Sequence, residues 1–362
     1  MVAGTIIALL WANLDLAGYE ALTHPLHFAV NDIAMVFFFG LAMKEIVEAT
    51  APGGALDSFR RAAMPVMAAI GGMAGPAAIY AILVSVLGYP ELSRGWAIPV
   101  ATDIAFSYLV VRFIFGATHP AVPFLLLLAI ADDAFGLILL AVFYPTAELQ
   151  LFWGVTLVGA ACLLTWAMRR AQVRSFWPYI LIPGALSWAG LYVGGLHPAL
   201  ALVPVLPLMP HAARDPGMFV EAEPPSGDPL TAFEHWWKVP VQVILFFFAL
   251  VNAGVPIGST GPGTWLVLGA ILAGKPIGIL LSAAGASLAG LRLPDGVRPR
   301  DLIVVSVAAA IGFTVALFFA TAAFPPGRSL EEAKLGALFS LSAAVIAPAA
   351  AWMLRVGRFN RG

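Results

Sequence analysis

Four charged side chains stand inside stretches of this sequence that are otherwise almost wholly apolar: Asp103, Asp132, Asp133 and Lys275. A charge at mid-bilayer depth costs a few kcal/mol on insertion scales, so it persists where it pairs, lines a cavity or binds something. A strut between helices explains one carboxylate facing one amine, and it leaves two negative charges over. In a low dielectric that surplus must be neutralised by protons or by a bound cation. The adjacent pair in Ala131-Asp132-Asp133-Ala134-Phe135-Gly136 suits such a site. Neighbours on a helix point about 100° apart and can bracket one ion without both facing one partner. Carboxylates and neutral oxygens suit a hard cation that has shed its water. Protons and a cation competing for the same oxygens would couple two fluxes with no separate linkage device. Asp32 and Glu45 lie in another apolar segment, nearer its ends.

The elements that must position these groups carry their own signals. Thr102 and Asp103 follow Pro99 in Gly95-Trp-Ala-Ile-Pro99-Val-Ala-Thr102-Asp103-Ile-Ala-Phe106. Pro99 removes a backbone donor and frees a carbonyl in mid-segment. A second small, polar interruption is Ala310-Ile311-Gly312-Phe313-Thr314. Interrupted helices in corresponding positions of two halves point to a transport site, whereas kinked packing is the plainer alternative. Asp103 would stand where two broken helices present like dipole ends and would offset the positive ones. Lys275 lies in Ala273-Gly-Lys-Pro-Ile-Gly278. A buried lysine there either releases a proton when a cation takes its aspartate partner or braces the fold, and the sequence leaves both open.

The frame around these residues is a membrane protein. Of 362 residues, 61% are hydrophobic and 11% charged, with a mean hydropathy of +0.92; soluble domains average nearer ~45–50% and ~25%. A net charge of -1 offers no basic face to nucleic acid. The single cysteine, Cys162, supports neither a disulfide framework nor a metal cluster, and no cofactor is implied. The first residues lack a positive leader region, so Met1–Trp11 is read as part of a first spanning helix. With roughly 20 apolar residues per span, about twelve segments emerge. They are 2–18, 27–47, 62–88, 95–114, 121–143, 151–168, 176–192, 195–209, 238–258, 264–290, 302–324 and 335–355. The expectation is an all-α integral membrane protein, residues 1–362 forming a single transmembrane domain with a cytoplasmic linker at about 211–238. With both termini cytoplasmic, 15 of the 19 Lys and Arg fall on that side and 3 on the other, Lys275 being the remaining one.

The chain closely resembles the NhaA family of bacterial Na+/H+ antiporters along nearly its whole length. The likeness rests on Trp11-Ala-Asn, Asn31-Asp32 with Met35 and Phe37-Phe38, Ala69-Ile-Gly-Gly-Met73 with Pro76, and Gly95 to Phe106. It continues through Asp132-Asp133, Phe248-Ala-Leu-Val-Asn-Ala-Gly-Val255, Gly274-Lys-Pro-Ile-Gly278 and Ile311-Gly-Phe-Thr314. The resemblance implies a twelve-helix antiporter of the inner membrane, with inverted repeats and two discontinuous crossing helices, acting as a homodimer. It implies that Asp132 and Asp133 bind the Na+ or Li+ and the protons, with Thr102 a nearby oxygen ligand. Asp103 would balance helix dipoles and Lys275 would pair with Asp132. Glu45, His197, Glu234 and His235 match positions tied to pH response. The chain departs from the family pattern where Ala134 and Phe135 precede Gly136, where Val47 and Glu48 replace basic residues, and where Lys238 replaces a histidine.

Other functions fit less well. Sodium-coupled solute symport on the same fold needs a polar cluster to hold the solute, and none is visible. An intramembrane aspartyl protease shares one proton between aspartates on different helices, which Asp132 and Asp133 are not. A passive channel needs a continuous polar path that no segment shows.

Overall fold

The computed structural model describes residues 1–211 and 228–360, with 59–61 described by backbone alone. The described residues form helices and no strand. Helix α1 (Val2–Leu14) parts from α2 (Leu16–Thr23) at Asp15, whose carboxylate accepts from Gly18 N at 3.0 Å and so starts the second helix. A π-helical stretch, Ala29–Ala34, carries Asn31 and Asp32 into α3 (Met35–Thr50). Helix α4 (Phe59–Leu87) ends on Gly88, left-handed at φ 76°. A 3₁₀ helix, Pro90–Val100, then an extended step at 101–103, leads to α5 (Ile104–Phe115). Helices α6 (Ala121–Phe143) and α7 (Leu151–Arg170) follow. Helix α8 (Trp177–Tyr179) runs through a π stretch, Ile180–Gly184, into α9 (Ala185–Gly194). Helix α10 (Pro229–Asn252) begins on Asp228, which accepts from Thr231 N at 2.9 Å, with Pro229 in the first position. Helix α11 (Pro262–Gly269) continues through a π stretch, Ala270–Gly274, into α12 (Lys275–Leu288). Helices α13 (Pro299–Ala308), α14 (Phe313–Ala323), α15 (Arg328–Phe339) and α16 (Ala343–Leu354) complete the chain.

Among the described residues, six helices are long and apolar enough to cross a membrane, or up to nine if each of three bent pairs is one span. The bent pairs turn by 44° (Leu16–Leu26 with Ala29–Thr50), 51° (Pro90–Val100 with Ile104–Phe115) and 50° (Pro299–Ala308 with Phe313–Ala323). The expected 121–143 coincides with α6. The expected 195–209 is no continuous helix but two 3₁₀ turns, Pro198–Leu200 and Leu206–Leu208. Pro198, Pro204, Pro207 and Pro210 deny it amide donors and space for a helical ladder. Helix α10 starts before the expected 238, because the Asp228–Pro229 cap draws Glu234 to Lys238 onto the helix. Of the expected linker at 211–238, residues 212–227, Arg214 among them, lie outside the described residues.

The chain groups into two compact units: Met1–Asp57 with Leu137–Gly254, and Ser58–Gly136 with Val255–Gly362. The described ends of the polar stretch, 211 and 228–238, fall in the first unit. In that unit α10 packs on α1 and α3, and α7 on α9. In the second, α4 lies along α12, α11 and α14 pack on α15, and α13 packs on α16.

Candidate functional site

The second unit holds Asp132 and Asp133 on α6 and Lys275 at the start of α12. Lys275 is fully buried. Its Nζ donates to Asp132 Oδ2 at 2.9 Å and also to the carbonyl of Val100. That carbonyl is available because the chain leaves helical geometry at Ala101. Asp132 is 3% exposed, and its Oδ1 has no hydrogen-bond partner among the described residues. Asp133 is half-buried and within Coulombic reach of Asp132, Asp103 and Lys275.

Two helix interruptions meet in the same unit. Asp103 N donates to Ile311 O at 2.6 Å, Thr102 Oγ1 to Ala309 O at 3.2 Å, and Ser107 Oγ to Ala308 O at 2.9 Å. The Asp103 carboxylate accepts from the first turns of both following helices. Phe106 N of α5 donates to Oδ1 at 3.2 Å, Thr314 N of α14 to Oδ2 at 3.2 Å, and Thr314 Oγ1 also to Oδ2. Ser340 Oγ accepts from Gly312 N at 3.1 Å and Phe313 N at 3.2 Å, so the amides at the second break are satisfied from α15's end. The carbonyl put to use is Val100's, one residue beyond Pro99. Among the described residues no three His, Cys, Asp or Glu side chains gather at metal-ligating spacing. The oxygens of Asp132 and Asp133 are hard donors of the kind that suit a small hard cation.

The first unit holds Glu45, His197, Glu234 and His235. Lys44, counted with loop charges on its sequence position, is fully buried on α3 and gathers three carboxylates. Its Nζ lies 2.5 Å from Glu48, 4.0 Å from Glu45, and against Glu234 of α10. The pairing of Lys44 with Glu48 was missed in the sequence reading, although their four-residue spacing on one helix face was a usable signal. His235, one residue past Glu234, is exposed, since successive helical residues point to different faces. His197 belongs to another set: it is 6% exposed, with Nδ1 3.8 Å from Asp32 Oδ1. Beside it, Asn31 and Asn252 exchange amide hydrogen bonds of 3.1 and 2.8 Å, and Trp188 Nε1 donates to Asp32 O at 2.8 Å.

Its apolar spans make this a multi-pass helical membrane protein, and broken helices that meet beside buried charges are the architecture of secondary transporters. The chain belongs to the Na+/H+ antiporter 1 family, which it matches over residues 1–354. It is 47% identical to the Na(+)/H(+) antiporter NhaA of Geobacter metallireducens, over 99% of this chain and 96% of that protein. It is 45% identical to the NhaA of Geobacter sulfurreducens, over 96% of this chain and 93% of the relative. The fold is similar to that of the sodium proton antiporter MjNhaP1 from Methanocaldococcus jannaschii at pH 8. That likeness has a TM-score of 0.59 at 14% identity and covers 97% of this chain and 90% of that one.

Proposed function

We propose that this chain is a secondary active antiporter that exports Na+ or Li+ in exchange for H+, the ions competing for Asp132 and Asp133. The observation that carries the reading is the state of Asp132, with one oxygen on buried Lys275 and the other buried without a partner among the described residues. Such an oxygen asks for a proton or a cation. Half-buried Asp133 beside it supplies the second carboxylate, and Thr102 a neutral oxygen.

Protons load the pair while it is open outward, and the protein rocks and releases them to the cytoplasm. Na+ then takes the same oxygens and is carried out. Asp103 balances the dipoles of α5 and α14, consistent with its bonds to both first turns. The two bent pairs of the second unit serve as the crossing discontinuous helices, within an inverted-repeat arrangement of about twelve spans. Lys275 pairs with Asp132, and it loses its partner when Na+ arrives. Glu45, Glu234, His197 and His235 modulate the response to pH. The protein sits in the bacterial inner membrane with both termini cytoplasmic, as a homodimer, and no cofactor enters the cycle. Its activity is transport, not enzymatic turnover. The sodium-coupled symport alternative gains no support from the relatives.

The test uses everted vesicles carrying a fluorescent ΔpH dye, with NaCl, LiCl and KCl added in turn from neutral to alkaline pH. Dequenching by Na+ or Li+ that is abolished in inserted Asp133→Asn is the expected result. Undiminished sodium-dependent proton flux in that variant sinks the assignment.

A further inference from the structure

Lys275 must be held in place by something other than its own flexible stem. The stretch Ala69-Ile-Gly-Gly-Met73 with Pro76 has no role in the chemistry above, yet it lies against the lysine. Helix α4 presents Gly71 and Gly75, and the chain around Lys275 presents Gly274 and Gly278, so each side carries a small residue every fourth position. The two backbones are in direct contact. A Cβ on Gly75 would meet Gly278 Cα at 2.8 Å and Gly278 N at 3.0 Å, besides striking Gly274 O. A Cβ on Gly71 would strike Gly278 O, and one on Gly274 would meet Pro76 N at 2.8 Å. Ser282 Oγ of α12 donates to Met67 O of α4 in the same seam. A Cβ on Gly72 would meet Ile279 Cγ1 at 2.9 Å and come to 3.9 Å from Lys275 Cε.

We propose that Gly72 and Gly75 of α4 are positioning residues for Lys275, their bare backbone setting how near α12 brings the ammonium to Asp132 and Val100. The inference rests on the ion-exchange reading of this centre. Carbon atoms settle at about 3.5–4.0 Å, so a methyl at Gly75 pushes the start of α12 away by roughly 0.7 Å or more. The Lys275–Asp132 bond is 2.9 Å, and by about 3.6 Å a hydrogen bond no longer exists. Lys275 is fully buried, with its Cε 3.9 Å from where a Gly72 methyl would sit, so its stem is packed against α4. The unpaired Asp132 Oδ1 lies beside this bond, so moving the lysine changes the competition for that carboxylate.

The experiment compares Gly75→Ala and Gly72→Ala with Gly154→Ala in full-length protein. Gly154 lies in another, somewhat less tight backbone contact of the first unit, where its Cβ would meet Gly194 Cα at 3.0 Å, and that contact carries no proposed ion-handling residue. Half-saturating Na+ is expected to rise about tenfold in Gly75→Ala, as misplacements of ~1 Å typically do on this scale or more, with a displaced pH profile. Gly72→Ala follows in the same direction by a smaller factor, since its methyl meets only side chains. Gly154→Ala lowers the unfolding midpoint and moves neither Na+ half-saturation nor the pH profile. Acylation of Lys275 by an amine reagent, read by mass spectrometry, should speed up in Gly75→Ala and Gly72→Ala. That readout holds whether or not the wild type exchanges ions, so a failed antiport assay strikes the functional reading alone. Wild-type labelling, half-saturation and pH profile in inserted Gly75→Ala overturn the proposal. If Gly75→Ala does not insert, the same result in Gly72→Ala overturns it.

Discussion

Each unit buries one lysine completely, and the two surroundings differ in kind. Lys44 sits among Glu45, Glu48 and Glu234, two from its own helix and one from α10, with Glu48 and Glu234 in direct contact with the amine and Glu45 at 4.0 Å. Lys275 has one carboxylate oxygen and one carbonyl, both from segments far away in sequence. The carboxylates near it are divided among other tasks: Asp103 accepts from two helix starts, Asp132 keeps one oxygen unpaired, and Asp133 stays half-buried. A buried amine in direct ion-pair contact with carboxylates of two helices is a clamp, because its charge is balanced across the contact that joins them. A buried amine beside an unsatisfied carboxylate has chemistry still to do. The difference lies in how directly the carboxylates face the amine rather than in the amount of charge, since both regions carry three carboxylates against one lysine.

Replacing the amines tests that contrast most severely. Removing one partner of a buried pair costs about 3–5 kcal/mol, so Lys275→Met and Lys44→Met should both lower stability in detergent unfolding. Lys275→Met should also change the dependence of exchange on membrane potential, while folded Lys44→Met keeps its maximal sodium-dependent proton flux. Loss of that flux at every pH in well-folded Lys44→Met would erase the distinction. The next effect is Thr314→Val, which removes the hydroxyl bonded to the buried Asp103 carboxylate. Oδ2 keeps the bond from the residue-314 backbone amide, so the cost is that of one hydrogen bond to a charged group, about 1.5–3 kcal/mol, to be read in the unfolding midpoint, and Asp103→Asn should couple with it in a double-mutant cycle. An additive cycle would mean that Thr314 does not support Asp103. The smallest effect separates members of the clamp. Glu48 is 2.5 Å from Lys44 Nζ and Glu45 is 4.0 Å away, and Coulomb attraction falls with distance. Glu48→Gln should therefore cost more stability than Glu45→Gln, with the latter under about 1 kcal/mol as for weak ion pairs. The reverse order would place the cluster's strength elsewhere.

Much of the proposed exchange centre is legible in the amino-acid sequence. Asp132, Asp133 and Lys275 stand out because charge inside an apolar run has few uses, and α6 matches its expected bounds because nothing polar interrupts the ends of 121–143. Lys44 is not legible in the same way. It lies near the end of an apolar segment, where a lysine reads as a surface charge, and its burial depends on Glu234, far along the chain. The stretch 195–209 misleads in the opposite direction, since hydropathy counts its prolines as neutral while the backbone cannot build a helix through them. The glycines at 71, 72 and 75 are visible only as a motif, without a purpose, because what matters is the side chain they lack at a contact that the sequence does not display.

By itself the sequence determined that this protein lives in a membrane, pointed to interruptions near Thr102–Asp103 and across Ala310–Thr314, and made an aspartate pair and one lysine stand out as the groups with chemistry to do. Composition, proline and glycine placement, and the cost of burying charge are local properties, and they need no partner to be read. Only the tertiary structure decided that Asp103 serves two helix starts, that Val100 and Asp132 share Lys275, and that Asp132 Oδ1 is left unpaired. Each of those depends on which distant backbone comes within hydrogen-bond reach, and a chain's spacing does not specify that distance until the helices pack.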